Sequence, residues 1–219
     1  MFEGQSPENF EQKCLCVLVV DVSSSMAGNP INELNRGLQD FKRDIIEDYV
    51  ATQRLEVGIV TFNSQVDIVQ EPANIENFEM PRLQTSGSTK MVDGIRKAMQ
   101  IIEERKKWYI QTGQNYFRPI IVLITDGEPD SDQDIYSLST EISNKLDSKS
   151  FVFYSVGVKG YNHEKLKLIC SRPEPLPLDG LKFSEFFRWL SNSIGIIAKS
   201  VEGQVLKLPS PGDWTQLEM

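Results

Sequence analysis

Four short apolar runs, separated by stretches with helical spacing, decide what this chain can fold into. The runs are Cys14–Val20, Leu55–Phe62, Pro119–Thr125 and Phe151–Val158. Each is a near-continuous hydrophobic segment of strand length, the pattern of a strand covered on both faces. Between them the period changes. Ile31, Leu34, Leu38, Phe41, Ile45 and Tyr49 recur at three- and four-residue steps, which predicts a helix face from Pro30 to Tyr49. Pro30 suits its first turn. Met91–Thr112 repeats the spacing through Ile95, Ala98, Ile102 and Tyr109. Ile135–Leu146 and Asn162–Cys170 read as shorter helices. Phe183, Phe186, Leu190, Ile194, Ile197 and Val201 mark the last one.

Buried strands alternating with amphipathic helices predict an α/β fold. Its doubly wound sheet is mostly parallel, with helices on both faces. Val66–Val69 follows the Asn63-Ser64 turn and reads as one antiparallel edge strand. Leu176–Leu178 reads as a short edge strand, because Pro175 and Pro177 would weaken a central one. Glu71–Ser88 carries Pro72, Pro81 and Gly87 and reads as a long irregular loop. We divide the chain into an N-terminal extension (1–11), one domain (12–202) and a tail (203–219). The tail's Val205, Leu206, Leu208, Trp214 and Leu217 suggest docking, on the domain itself or on something else, with the domain the favoured reading.

Composition narrows the partners. The net charge is −8 with no Lys/Arg block, so nucleic acid and anionic membrane would be repelled. The longest apolar run, Cys14–Val20, is far short of the roughly 20 residues of a membrane span. The first residues, MFEGQSPENFEQK, lack the basic start and apolar segment of a signal peptide. Three cysteines, Cys14, Cys16 and Cys170, form no disulfide framework. These features together predict a cytoplasmic protein. Zinc held by the cysteines and His163 is disfavoured by the C-x-C spacing and the lone histidine.

In a doubly wound sheet, ligands bind beyond the carboxyl ends of the strands, where strand order reverses. The first strand exits into Asp21-Val22-Ser23-Ser24-Ser25, a carboxylate and two hydroxyls at alternate positions. Pro119–Thr125 exits into Asp126-Gly127. Ser86-Gly87-Ser88-Thr89 precedes the Met91–Thr112 helix. Hydroxyls, carboxylates and water make a hard oxygen shell, suited to Mg2+ or Mn2+ and not to zinc or copper.

D-V-S-S-S after one strand, S-G-S-T at a helix start and I-T-D-G-E-P after another strand together resemble a known site. It is the metal-ion-dependent adhesion site (MIDAS) of the von Willebrand factor type A (VWA) family, whose domain is Rossmann-like. The resemblance covers about residues 12–200. It implies that Ser23, Ser25 and Thr89 bind the metal directly, and that Asp21 and Asp126 do so directly or through water. It also implies one coordination position left for an Asp or Glu of a partner protein. The short, signal-less form resembles stand-alone bacterial VWA proteins of the tellurium-resistance-associated TerY type, which suggests a stress-response or signalling complex. Ser24 and Ser88 stand where the family often has glycine. Lys90 and Glu128 are candidates for a partner-contact rim. Lys90 would either sit beside the metal as a cation or point into solvent.

A binding module is therefore expected, and not an enzyme. The alternative is Mg2+-dependent phosphoryl transfer at the same pocket, with Asp21 as nucleophile. Ser23 breaks the D-x-D wording of such phosphatases, and no G-x-x-x-x-G-K-[ST] loop exists. The acids Asp130, Asp132, Asp134 and Glu141 match EF-hand positions, but Ile135 occupies the position that needs glycine. These acids fit the positive end of the following helix instead. His163 lacks a G-x-S-x-G partner motif and reads as a surface residue.

Overall fold

The computed structural model describes residues 7, 9–158, 160–178 and 182–200. Strand β1 (Cys14–Asp21) leads to helix α1 (Asn29–Ile46), the short α2 (Tyr49–Arg54) and strand β2 (Leu55–Phe62). Strand β3 (Val66–Asn74), helix α3 (Met91–Thr112), strand β4 (Ile120–Thr125) and helix α4 (Ile135–Asp147) follow. The order closes with β5 (Val152–Gly157), α5 (His163–Ile169), β6 (Leu176–Pro177) and α6 (Phe183–Lys199). The sheet order is β3-β2-β1-β4-β5-β6, with only the β2–β3 pair antiparallel. This is the expected α/β architecture. Strand order reverses between β1 and β4, so a crevice opens where those strands end, at Asp21 and Thr125.

The pleat divides the core in two. Cys14, Cys16, Leu18 and Val20 of β1 face α1 and α6, while Leu15, Val17 and Val19 face α3, α4 and α5. Gly37 lets α6 lie close against α1, because a Cβ there would stand 2.7 Å from Phe187 Cδ2. The three cysteines are free and buried, and burial pushes the Cys14 thiol up to about 12. Among the described residues, no helix is long and apolar enough to cross a membrane.

Some sequence expectations need correction. Tyr49 is not on the α1 face; it is 78% exposed and starts a separate helix. Asp48 makes the break, since its carboxylate accepts from the N–H groups of Val50 and Ala51 as an N-cap. Strand β3 runs beyond Val69 to Asn74, so Glu71–Asn74 is extended and not loop. Pro72 is tolerated there because β3 is an edge strand whose pairing with β2 is irregular near Gly58. His163 is half-buried at the start of α5, with Nδ1 3.0 Å from the Tyr161 hydroxyl. The tail 203–219 and its docking lie outside the described residues, as does Val201.

Candidate metal centre

The centre is assembled from three chain segments at the carboxyl end of the sheet. Asp21 ends β1 and is fully buried. Its Oδ1 accepts from the Ser23 N–H at 2.8 Å, and its Oδ2 accepts from the Thr125 hydroxyl at 2.6 Å. The turn that follows brings the Ser23 and Ser25 hydroxyls to 2.9 Å from each other. Ser25 Oγ in turn donates to Asp126 Oδ1 at 2.7 Å, joining the β1 exit to the β4 exit. Thr89 enters from the third side. The ideal Cβ position on Gly127 lies 3.6 Å from Asp21 Oδ2 and 3.8 Å from Thr89 Oγ1, so both oxygens face the same glycine. Asp21, Ser23, Ser25, Thr89 and Asp126 therefore meet at one place.

Backbone hydrogen bonds lace the loops together. Ser24 N–H donates to the Gly87 carbonyl at 3.1 Å, and Ser86 N–H to the Val22 carbonyl at 2.9 Å. Lys90 N–H reaches the Asn63 carbonyl at 2.8 Å. The Asn63–Gln65 turn between β2 and β3 is thus a fourth wall. Gly87 needs its glycine, because its φ is +72° and a Cβ would stand 2.4 Å from Ser64 Oγ.

The electrostatics of Asp21 are unusual for a buried carboxylate. Burial raises its pKa above the ordinary value. The Ser23 and Thr125 hydrogen bonds oppose that shift, and the neighbouring Asp126 charge adds to it. Its hydrogen-bond donors are neutral, so the pocket solvates the charge without balancing it. Such a site attracts a cation. Among the described residues, no three His, Cys, Asp or Glu side chains cluster as a metal site. The present set has two carboxylates and draws its other oxygens from hydroxyls.

The two rim candidates occupy ion pairs on the flank. Lys90 Nζ bonds Asp132 Oδ2 at 2.9 Å in a solvent-exposed ion pair. Glu128 is held by Asn162 Nδ2 at 2.7 Å and by Lys165. Sequence reading missed Thr125, although it stands directly before Asp126. It also missed Asp130, which accepts from Thr89 N–H at 3.1 Å. Asp134 does favour the helix start, accepting from Ser137 N–H as the N-cap of α4.

A family model described as the von Willebrand factor type A domain matches residues 16–184. The chain belongs to this family. Calcium-activated chloride channel regulator 1 of Macaca mulatta is 39% identical over 125 residues, covering 53% of this chain and 12% of that protein. Inter-alpha-trypsin inhibitor heavy chain H3 of Mesocricetus auratus is 25% identical over 147 residues, covering 64% and 16% respectively. The chain therefore spans only a small part of these two relatives. Proximal thread matrix protein 1 from the mussel byssus, solved with a zinc-occupied MIDAS motif, shares the fold at a TM-score of 0.58. It is 16% identical, over 87% of this chain and 47% of that one.

Proposed function

We propose that this VWA domain is a metal-dependent protein-binding module, in which Mg2+ or Mn2+ grips an Asp or Glu side chain of a partner protein. The observation that carries the reading is the continuous line of oxygens from Ser23 through Ser25 to Asp126, beside a buried Asp21 whose hydrogen-bond donors, among the described residues, are neutral. Mg–O distances of about 2.0–2.1 Å in an octahedron place adjacent ligand oxygens roughly 2.9 Å apart. The observed spacings of 2.9 and 2.7 Å fit that requirement. Ser23, Ser25 and Thr89 would hold the ion directly, with Asp21 and Asp126 direct or water-linked. Two carboxylates would neutralise a divalent ion, and the neutral hydroxyls would leave it electrophilic toward an incoming carboxylate.

The geometry favours binding over catalysis. A phosphoryl-transfer nucleophile must reach its substrate, whereas Asp21 is fully buried with both oxygens engaged. The acidic composition argues against nucleic acid and anionic membrane as partners. We place the protein in a bacterial stress-response or signalling complex of the TerY type on the strength of the motif wording, and in the cytoplasm, where its three free cysteines would stay reduced.

Calorimetric titration of chelator-treated protein with Mg2+ and with Mn2+ tests the reading, beside Asp21→Ala/Ser23→Ala. Binding is expected in the wild type and absent in the variant. A pull-down on an immobilised Glu-containing peptide, with and without chelator, then tests the acidic partner. Equal titration curves for wild type and variant would overturn the site. Mg2+-dependent phosphatase turnover that disappears in a folded Asp21→Asn variant would overturn the binding-module reading in favour of catalysis.

A further inference from the structure

We infer that Asp130, acting with Ser88 and Ser64, is a positioning clasp that aims Thr89 at the metal and sets the strength of the site. The inference rests on the metal-binding reading above, and deepens it by naming a residue outside the proposed ligand set.

Asp130 stands four residues beyond Asp126, on the loop between β4 and α4. It holds Thr89 at both backbone polar groups. Its Oδ1 accepts from the Thr89 N–H at 3.1 Å, and its own N–H donates to the Thr89 carbonyl at 3.1 Å. Its Oδ2 accepts from the Ser88 hydroxyl at 2.8 Å. Ser88 is fixed in turn by Ser64, whose Oγ accepts from the Ser88 N–H at 2.9 Å and lies 3.2 Å from Ser88 Oγ. Ser64 belongs to the β2–β3 turn, so the clasp joins three loops.

These bonds are not an ordinary helix cap. A cap satisfies the free N–H groups of the first turn. That task falls here to Gln133, whose Oε1 accepts from Val92 N–H at 2.8 Å, while Lys90, at the N-cap position of α3, makes no side-chain cap bond. Asp130 engages Thr89, which precedes the helix and bears a candidate ligand. Both of its carboxylate oxygens are committed to this task. Ser88, found where the family often has glycine, supplies the second strand of the clasp. Groups that orient metal ligands typically change affinity by about 10–100-fold when removed.

The test is a double-mutant cycle read by Mn2+ calorimetry on the full chain. Asp130→Ala is expected to weaken Mn2+ binding by about 10–100-fold. Asp130→Asn should recover most of it, because the amide oxygen can still accept from Thr89. Ser88→Gly, the milder variant, should weaken binding by about three- to ten-fold, the scale of one lost hydrogen bond. In a Thr89→Val background, Asp130→Ala should add nothing, since the group it aims is gone. Hydrogen exchange at the Thr89 amide in chelator supplies a metal-free readout, and should quicken in Asp130→Ala.

Wild-type affinity in Asp130→Ala, with binding still lost in Asp21→Ala/Ser23→Ala, would overturn the clasp and leave the metal site standing. An equal Asp130→Ala effect in the wild-type and Thr89→Val backgrounds would also overturn it. Failure of the wild type to bind would overturn the metal reading and the clasp together. Unchanged Thr89 exchange would overturn the clasp whatever the metal data show.

Discussion

Among the described residues two carboxylates are buried, Asp21 and Glu56, and they sit at opposite ends of the sheet. The β1–β2 register pairs Glu56 with Leu15, six residues before Asp21, so about 20 Å of strand separates the two. Glu56 is answered from within. Arg105 donates to both its oxygens at 2.7 Å, and the Tyr109 hydroxyl adds a bond at 2.6 Å. The guanidinium also lies 3.9 Å from the centre of the Trp108 ring. Burial alone would lower the Arg105 pKa; the Glu56 contacts outweigh it and raise it. Asp21 has donors of similar length but, among the described residues, no cationic one. The difference teaches how to separate structural from functional buried charge. A balanced pair completes itself, whereas a buried carboxylate whose donors are neutral hydroxyl and backbone groups is one that a cation from outside would balance under the proposed reading.

The largest expected effect falls on the balanced end. Glu56→Gln should lower unfolding free energy by about 3–5 kcal/mol, because Arg105 stays buried without its counter-charge. Urea denaturation measures this. Glu56→Gln/Arg105→Met should recover part of the loss, since removing both charges relieves the unpaired one. A loss below about 1 kcal/mol in Glu56→Gln would place this pair with exposed ion pairs and dissolve the contrast.

The same substitution type at the other end should have the opposite sign. In chelator, Asp21→Asn is expected to unfold at the wild-type urea concentration or higher, because an uncompensated charge has been removed. In Mg2+ at 100 times its dissociation constant, the wild type should gain about 2.7 kcal/mol. Asp21→Asn should gain nothing. Destabilisation of metal-free Asp21→Asn on the Glu56→Gln scale would show that Asp21 holds the fold and not an ion. Ser25→Ala sharpens the point at the exposed edge of the site. Its metal-free stability should stay within about 0.5 kcal/mol of wild type, as for a surface substitution. Its Mg2+ affinity should fall measurably by calorimetry.

How much of this was legible in the sequence follows from range and periodicity. The sheet could be read because each central strand is a continuous apolar run and each long helix repeats its face. The five site oxygens could be grouped because the topology sends their loops to one end. Glu56 and Arg105 could not be paired, since they are 49 residues apart and each looks like an ordinary polar position in its own element. Asp130 was hidden in an alternating acidic run, where neighbours serve as caps or ion-pair partners. Nothing local distinguishes a carboxylate that holds Thr89 from one that holds Ser137. The partner of Lys90 could not be read, because Asp132 is brought near it only by the packing of α3 beside the β4–α4 loop. Tyr49 fits helical spacing by number, and only the capping role of Asp48 removes it from the face.

The smallest expected effect is at the rim of the metal end, where Lys90 and Asp132 form an exposed pair. The Lys90 hydrogen bond and charge hold the Asp132 carboxyl below its ordinary pKa, and the same contact raises that of Lys90. A lowered carboxyl contributes stability that is present above its unfolded pKa and is lost as pH falls through the lowered folded one. The raised amine contributes stability that is present below its unfolded pKa and is lost as pH rises through the folded one. Lys90→Ala should therefore differ from wild type only between those limits, converging with it in acid below the carboxylate range. Even within that window the change in urea midpoint should lie near the limit of detection, and added salt should erase it. Urea titrations of both proteins across that range check the expectation. A Lys90→Ala loss that rivals Glu56→Gln and survives high salt would mean that location in this fold, and not desolvation, decides which charges matter. The contrast between Asp21 and Glu56 would then need another cause.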